Sequence, residues 1–316
     1  NTKWNRTMKI LIANPIAPKT MKDLQNKHEV ICAFGRKKAI LQERIEGCEI
    51  LVFRSGVQMS AELMDRLPDL KLLIRAGSGI DNLDIEYVQR RGLELIRIPE
   101  PGAKAVAEMT FALMLALSRN LFEADNSMRR GEWAKHKLGG HLLTGKVLGI
   151  IGAGSIGSRV GRLGAAWDME VIAYDMNTSS TFTAKLADED IRLTSFDEVI
   201  TTADFVSLHV PLDSSTYYLI SASALSRMKS GAILINIARG GVVDEQALYK
   251  ALTEENRLRG AALDVHEQEG EGKLSPLAEL PNVILTPHIG AMTIDSQQEV
   301  GCRIKEIISS YDAEQM

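Results

Sequence analysis

The chain is poor in cysteine and lacks every arrangement that would make cysteine structural. Its three, Cys32, Cys48 and Cys302, are odd in number, far apart and in no C-x-x-C pattern. That excludes a disulfide framework and a zinc ribbon, and it points to a reducing compartment. No His, Cys and carboxylate cluster has metal-ligand spacing, so no metal is expected. Long hydrophobic runs are missing too: the most apolar stretch, 109–118, is ten residues without a charge, about half a bilayer span, and no signal peptide precedes it. Neither sign of charge dominates, since 37 Lys and Arg against 41 Asp and Glu leave −4, which argues against a nucleic-acid-binding surface. Repeats, low-complexity tracts and Pro- or Gly-rich linkers are absent. These absences predict a cytoplasmic protein with no membrane or nucleic-acid partner. Asn1 to Thr7, ahead of Met8, read as an appended segment.

What is present is the balance of a globular protein. The 316 residues are 45% apolar and 25% charged, enough for two domains at roughly 150 residues each. Strand-like runs occur at 9–13, 50–53, 70–74, 95–98, 147–151, 170–174, 204–208, 232–237, 261–265 and 282–285. They are mostly Ile, Leu and Val without polar alternation, which predicts strands buried on both faces of a parallel sheet. Helical patterns intervene, for example a capping box at Ser195–Glu198 opening a segment to Thr201. Such alternation predicts an α/β fold with right-handed crossovers. The helix at 106–121 is apolar nearly all round, followed by a second to Arg130. It reads as a core helix or as a subunit interface.

The strongest local signal is Gly152, Gly154, Ser155, Ile156 and Gly157 in a G-x-G-x-x-G pattern after the run 147–151. The first glycine permits the turn, the second lets backbone approach a pyrophosphate, and the third allows close helix–strand packing. The helix N-terminus then holds the anion. Asp175 ends the next strand, 23 residues after Gly152. A carboxylate there accepts from ribose hydroxyls and repels a 2′-phosphate, and no Arg or Lys follows to receive one. NAD is therefore expected over NADP.

Three later strands each deliver a polar residue beyond their carboxyl ends: Arg239, Glu269 and His288. Ligands of an open parallel sheet bind at that edge. Hydride transfer between nicotinamide and a carbinol carbon needs a base for the hydroxyl proton, and histidine suits. A carboxylate partner favours the imidazolium, and arginine offers a planar fork for a substrate carboxylate. Among the other histidines, His28, His136 and His141 lie in polar surroundings and are expected to be solvated. His209 is expected at the cofactor cleft, and His266 is the nearest alternative to His288.

These motifs, together with 236–248, 260–265, 286–291 and the early segments 52–56 and 75–82, resemble the D-isomer-specific 2-hydroxyacid dehydrogenase family over almost the whole chain. The resemblance implies two doubly wound parallel-sheet α/β domains. One is a Rossmann NAD-binding domain at 105–291. The other is a smaller, flavodoxin-like substrate domain at 1–104 and 292–316, to which an amphipathic helix from Thr293 to Tyr311 returns. It implies that Arg239, Glu269 and His288 are catalytic, that Ala238 and His209 adjoin the cofactor, and that Asp264 lies at the nicotinamide amide. It places the substrate carboxylate on backbone N–H groups of Ser55, Gly56 and Val57 and of Gly77 and Ser78. It also makes the 106–121 helix part of a homodimer interface. The early segments look most like members acting on 3-phosphoglycerate, and Arg54 and Arg75 would add cationic character for a second anionic group. Glycerate, glyoxylate or lactate as substrate, formate or phosphite oxidation, and a non-catalytic NADH-sensing protein stand as alternatives, although Glu269 argues against formate. Three places depart from the family pattern: His266 where an aromatic is usual, Gly270 where proline is usual, and Pro101–Lys104 ahead of the long helix. The chain reads as a catalytic core without a C-terminal regulatory domain.

Overall fold

The structure, a computed structural model, describes residues 6–253 and 257–314. The chain divides into two compact units, Asn1–Ala103 with Ala291–Met316, and Lys104–Gly290. In the first, β1 (Lys9–Ile12), β2 (Glu29–Cys32), β3 (Cys48–Phe53), β4 (Leu72–Arg75) and β5 (Glu94–Arg97) form a parallel sheet in the order β2-β1-β3-β4-β5. This is the flavodoxin-like order. Along β3, Ile50 and Val52 pack with Ile10, Ile12, Leu72 and Ile74 and with Ile304 and Ile308 of the C-terminal helix. Leu51 and Phe53 join Leu11, Leu73 and Met64 in a second cluster. Successive strand residues point to opposite faces, so an apolar run without alternation is what a sheet covered on both sides requires. The C-terminal helix, Ile294–Glu314, opens with the Ser296 N–H donating to Thr293 Oγ1 at 3.1 Å.

The second unit holds a parallel sheet of β6 (Val147–Ile151), β7 (Glu170–Tyr174), β8 (Arg192–Leu193), β9 (Phe205–Leu208), β10 (Ile233–Asn236), β11 (Gly260–Leu263) and β12 (Val283–Leu285). Its order is β12-β11-β10-β9-β6-β7-β8. Chain order reverses at the β6–β9 pair. That is the topological switch point outside which dinucleotides bind in a Rossmann sheet.

Several expectations need correction. The edge strands β2 and β8 escaped sequence reading because they are short and only partly buried. His28 is not solvated. It is buried, and its Nδ1 accepts the Met8 N–H at 3.2 Å where the chain enters β1. Burial pushes its pKa down, against the opposing charge of Asp312. The long helix begins at Glu100, so Pro101–Lys104 form its first turns and do not precede it. Proline is tolerated there because a first-turn N–H has no intrahelical partner to lose. That helix ends at Ser118, and a second runs from Leu121 to Arg129. Phe111, Leu113 and Met114 of the first are buried within the single chain. Among the described residues no single helix is long and apolar enough to cross a membrane.

Candidate active site

The loop after β6 is built so that only glycine serves at its ends. Gly152 has φ +92°, and a Cβ there would meet the His209 carbonyl oxygen at 2.7 Å. A Cβ on Gly157 would lie 2.0 Å from the Gly152 carbonyl oxygen, so this glycine lets the helix Ser155–Ala166 press against the strand. Gly154 differs, since a Cβ there would meet nothing within 4 Å. Its open side is where a pyrophosphate can come down on the N–H groups of Ser155 and Ile156 at the helix start. The Asp175 carboxylate accepts from Ala153 N–H at 2.8 Å and from Asn177 N–H at 2.9 Å, which fixes it beside that loop. The His209 ring donates to or accepts from Ser207 Oγ through Nε2 at 2.8 Å. Burial pushes its pKa down to about 3, so it sits neutral against the glycine loop. These residues fit a dinucleotide.

The loops after β10, β11 and β12, three adjacent strands, carry Arg239, Glu269 and His288. His288 Nδ1 lies 3.0 and 3.2 Å from the two Glu269 oxygens. A carboxylate accepts only, so Nδ1 carries the proton of this bond and Nε2 is the nitrogen left to exchange one. Burial raises the Glu269 pKa, but the hydrogen bond and charge of His288 outweigh it and hold it below the ordinary carboxylate value. His288 has φ +55°, a conformation that non-glycine residues seldom adopt and that needs external support. Asp264 supplies that support. Its carboxylate, 1% exposed, accepts from Thr286 Oγ1 at 2.6 Å, Ile289 N–H at 2.9 Å and Gly290 N–H at 2.7 Å. Both Asp264 oxygens thus brace the histidine loop.

Arg239 is partly buried at the end of β10, and its Nη1 donates to the Ala238 carbonyl at 2.7 Å. The Ala238 N–H is held by Asn236 Oδ1 at 3.2 Å. His266 Nε2 faces the Thr286 carbonyl at 2.9 Å, unlike the His288 ring, which faces Glu269. Gly270 has φ +121°, which no proline ring can adopt, so this chain's loop follows a path its usual residue would forbid. Beside the pair lies a cavity of about 520 Å³ lined by His266, Glu269, Lys273, Leu274, Pro287 and His288 among others.

In the first unit, Arg54, Ser55, Gly56 and Val57 form the turn after β3. Two asparagines that sequence reading left without a role hold it. Asn14 Oδ1 accepts the Arg54 N–H at 2.7 Å and its Nδ2 donates to the Ser55 carbonyl at 3.1 Å, while Asn82 Nδ2 donates to the Arg54 and Val57 carbonyls at 3.1 and 2.6 Å. The only signal for them was an amide just past β1 and another just past the Gly77–Gly79 turn. With the carbonyls taken, the Ser55 and Gly56 N–H groups meet no protein acceptor among the described residues. The Arg54 guanidinium lines a small cavity with Ala76, Gly77 and Gln297, and burial lowers its pKa with no carboxylate to offset it. Ser78, next to Gly77, is exposed. Arg75 departs from expectation. It is 4% exposed, donates Nε–H to the Gly79 carbonyl at 2.7 Å and lies over the Phe53 ring. It braces the Gly77–Gly79 turn.

The family model described as D-isomer specific 2-hydroxyacid dehydrogenase, NAD binding domain, matches residues 111–290. A D-3-phosphoglycerate dehydrogenase of Methanocaldococcus jannaschii is 39% identical over 305 residues, covering 95% of this chain and 57% of that one. The chain thus spans little more than half the length of that relative. A hydroxypyruvate reductase of Thermotoga maritima is 35% identical over 303 residues, covering 95% of this chain and 97% of that one. The crystal structure of D-lactate dehydrogenase from Aquifex aeolicus, complexed with NAD and lactic acid, aligns with TM-score 0.84 at 30% identity, covering 98% and 97% of the two chains. The chain belongs to the D-isomer specific 2-hydroxyacid dehydrogenases, and its second unit carries their NAD-binding domain.

Proposed function

We propose that this chain is an NAD-dependent dehydrogenase of a D-2-hydroxy acid with a second anionic group, of the 3-phosphoglycerate type, with 3-phosphohydroxypyruvate as the reverse substrate. The observation that carries the reading is the Glu269–His288 pair at 3.0 Å on a sheet edge that also bears the glycine loop. Bound NAD supplies the hydride acceptor. His288 Nε2 takes the hydroxyl proton during oxidation and returns it to the carbonyl oxygen during reduction, while Glu269 fixes the ring and stabilises its protonated form. Arg239 contributes a cation for a developing or resident negative oxygen. In the first unit, the free N–H groups of Ser55 and Gly56 suit a carboxylate, and the desolvated Arg54 calls for an anion. A panel of 2-keto acids assayed by NADH oxidation tests the reading: no turnover of any member would favour a dinucleotide-sensing protein.

A second reading, reduction of hydroxypyruvate itself, has support from Arg75. With that guanidinium committed to its own turn, one cation fewer remains for a phosphate. Equal efficiency on hydroxypyruvate and its phosphate would decide for it.

Asp175 should enforce the cofactor choice. Its carboxylate beside the loop repels a 2′-phosphate, so Asp175→Ala should raise kcat/KM with NADPH relative to NADH by about tenfold. A wild type that already uses both equally would refute this.

A second copy of the chain is proposed as partner. Large apolar side chains stand exposed on the helix after Glu100–Ser118 and on the segment that follows: Phe122 is 58% and Trp133 75% exposed, with Leu121, Met128 and Leu142 also exposed. Patches of this kind mark association surfaces. Phe122→Asp with Trp133→Asp should halve the mass measured by sedimentation; an unchanged mass places the interface elsewhere.

A further inference from the structure

The loop that carries Glu269 has little to hold it. From Glu267 to Lys273 every residue is exposed, and Gly270 and Gly272 both have positive φ. Such a segment orders only if its ends are tied. Both ties lead to one side chain outside the loop. Glu245, 3% exposed at the start of the helix Glu245–Thr253, accepts the Glu267 N–H on Oε1 at 2.8 Å and the Ser275 Oγ–H on Oε2 at 2.6 Å. The tie is reciprocal, since Glu267 Oε1 accepts the Glu245 N–H at 2.9 Å. Glu267 is therefore committed to a helix terminus, where a carboxylate is favoured, and is not available to His288. A further constraint comes from Gly240, next to Arg239. A Cβ there would lie 1.8 Å from the His266 carbonyl oxygen, so the arginine turn is pressed against the start of the glutamate loop.

We infer that Glu245 is a positioning residue for catalysis: its buried carboxylate clasps the loop at residues 267 and 275 and so holds Glu269 against His288. The inference rests on the reading of Glu269 and His288 as the acid–base pair. Without the clasp, Glu269 loses its fixed place two residues from an anchor, and the histidine loses the carboxylate that orients it. Glu245 acts only through Glu269, and that makes the idea separable from simple destabilisation.

The test is a double-mutant cycle on the full 316-residue chain, read as kcat for 2-keto acid reduction and as its pH profile, with NADH affinity measured by fluorescence. Glu245→Ala should lower kcat about 10-fold to 100-fold, the cost of misplacing a catalytic group by an ångström, while NADH affinity is unchanged. Its pH profile should move the same way as that of Glu269→Gln. In the Glu269→Gln background the same substitution should cost less than about twofold, because the group it positions is already disabled. Glu245→Gln should restore most of kcat, since an amide can accept from Glu267 N–H and donate to Ser275 Oγ. If Glu245→Ala does not fold, Ser275→Ala removes one tie alone and should show a smaller drop with the same non-additivity. Should Glu269→Gln leave kcat untouched, the acid–base reading itself fails and the clasp falls with it. Should Glu269→Gln lower kcat while the Glu245 and Ser275 variants only lower Tm, or add in full to it, the pair stands and the clasp is overturned.

Discussion

His288→Ala should lower kcat for keto-acid reduction by about 10²- to 10⁴-fold, the contribution of a positioned proton donor, with NADH affinity little changed. The ring donates Nδ1–H to Glu269 and presents Nε2 for the transfer, so no neighbour can substitute. His266 is turned to the Thr286 carbonyl and His209 is held neutral by burial. Glu269→Gln is the companion experiment. The Glu269 pKa is lowered, so its attraction to His288 is present above the ordinary carboxylate range and is lost only as pH falls through the lowered value. Removing that charge should lower kcat for reduction, because the ring loses the acceptor that orients it, and should abolish the loss of activity that the wild type shows as pH falls through the lowered Glu269 value. A variant with an unmoved profile would show that Glu269 does not serve His288. A wild-type rate surviving in His288→Ala would remove the histidine from the chemistry altogether.

Arg54→Ala should raise KM for 3-phosphohydroxypyruvate by about 10-fold to 100-fold, the worth of one or two charge-assisted hydrogen bonds, and raise KM for unphosphorylated hydroxypyruvate by much less. The guanidinium is partly buried beside Gly77 and, among the described residues, meets no carboxylate. Burying an unpaired charge costs free energy, and a bound anion is the partner that would recover it. Arg75→Ala should behave differently. Because that side chain braces the Gly77–Gly79 turn, its loss should act on both substrates alike and on Tm. Parallel loss of both substrates in Arg54→Ala, or selective loss of the phosphorylated one in Arg75→Ala, would reverse these assignments.

The two arginines show how far a sequence can be read. Each follows an apolar strand, each stands by a substrate loop of the family, and nothing in their neighbours distinguishes them. They differ only in which way the side chain turns: Arg75 folds over Phe53 to reach the Gly79 carbonyl, whereas Arg54 lines a cavity. The same limit hid Glu245. It reads as one more acid opening a helix, and its partners, Glu267 and Ser275, lie 22 and 30 positions along the chain. His28, read as solvated from its polar neighbours, is buried because residues distant in sequence close over it.

Patterns with a short physical range were legible from the residues alone. Unbroken apolar runs dictate strands covered on both faces, and a G-x-G-x-x-G turn dictates a loop that only glycine fits at its ends, with the acid 23 residues on held beside it. Each depends on backbone geometry within one strand–turn–helix unit, so spacing carries it. The sheet orders, the clasp on the glutamate loop, the asparagines that free the Ser55 and Gly56 amides and the Asp264 brace under His288 depend on which strand ends become neighbours. That is settled by packing among residues far apart in the chain, and no local pattern encodes it.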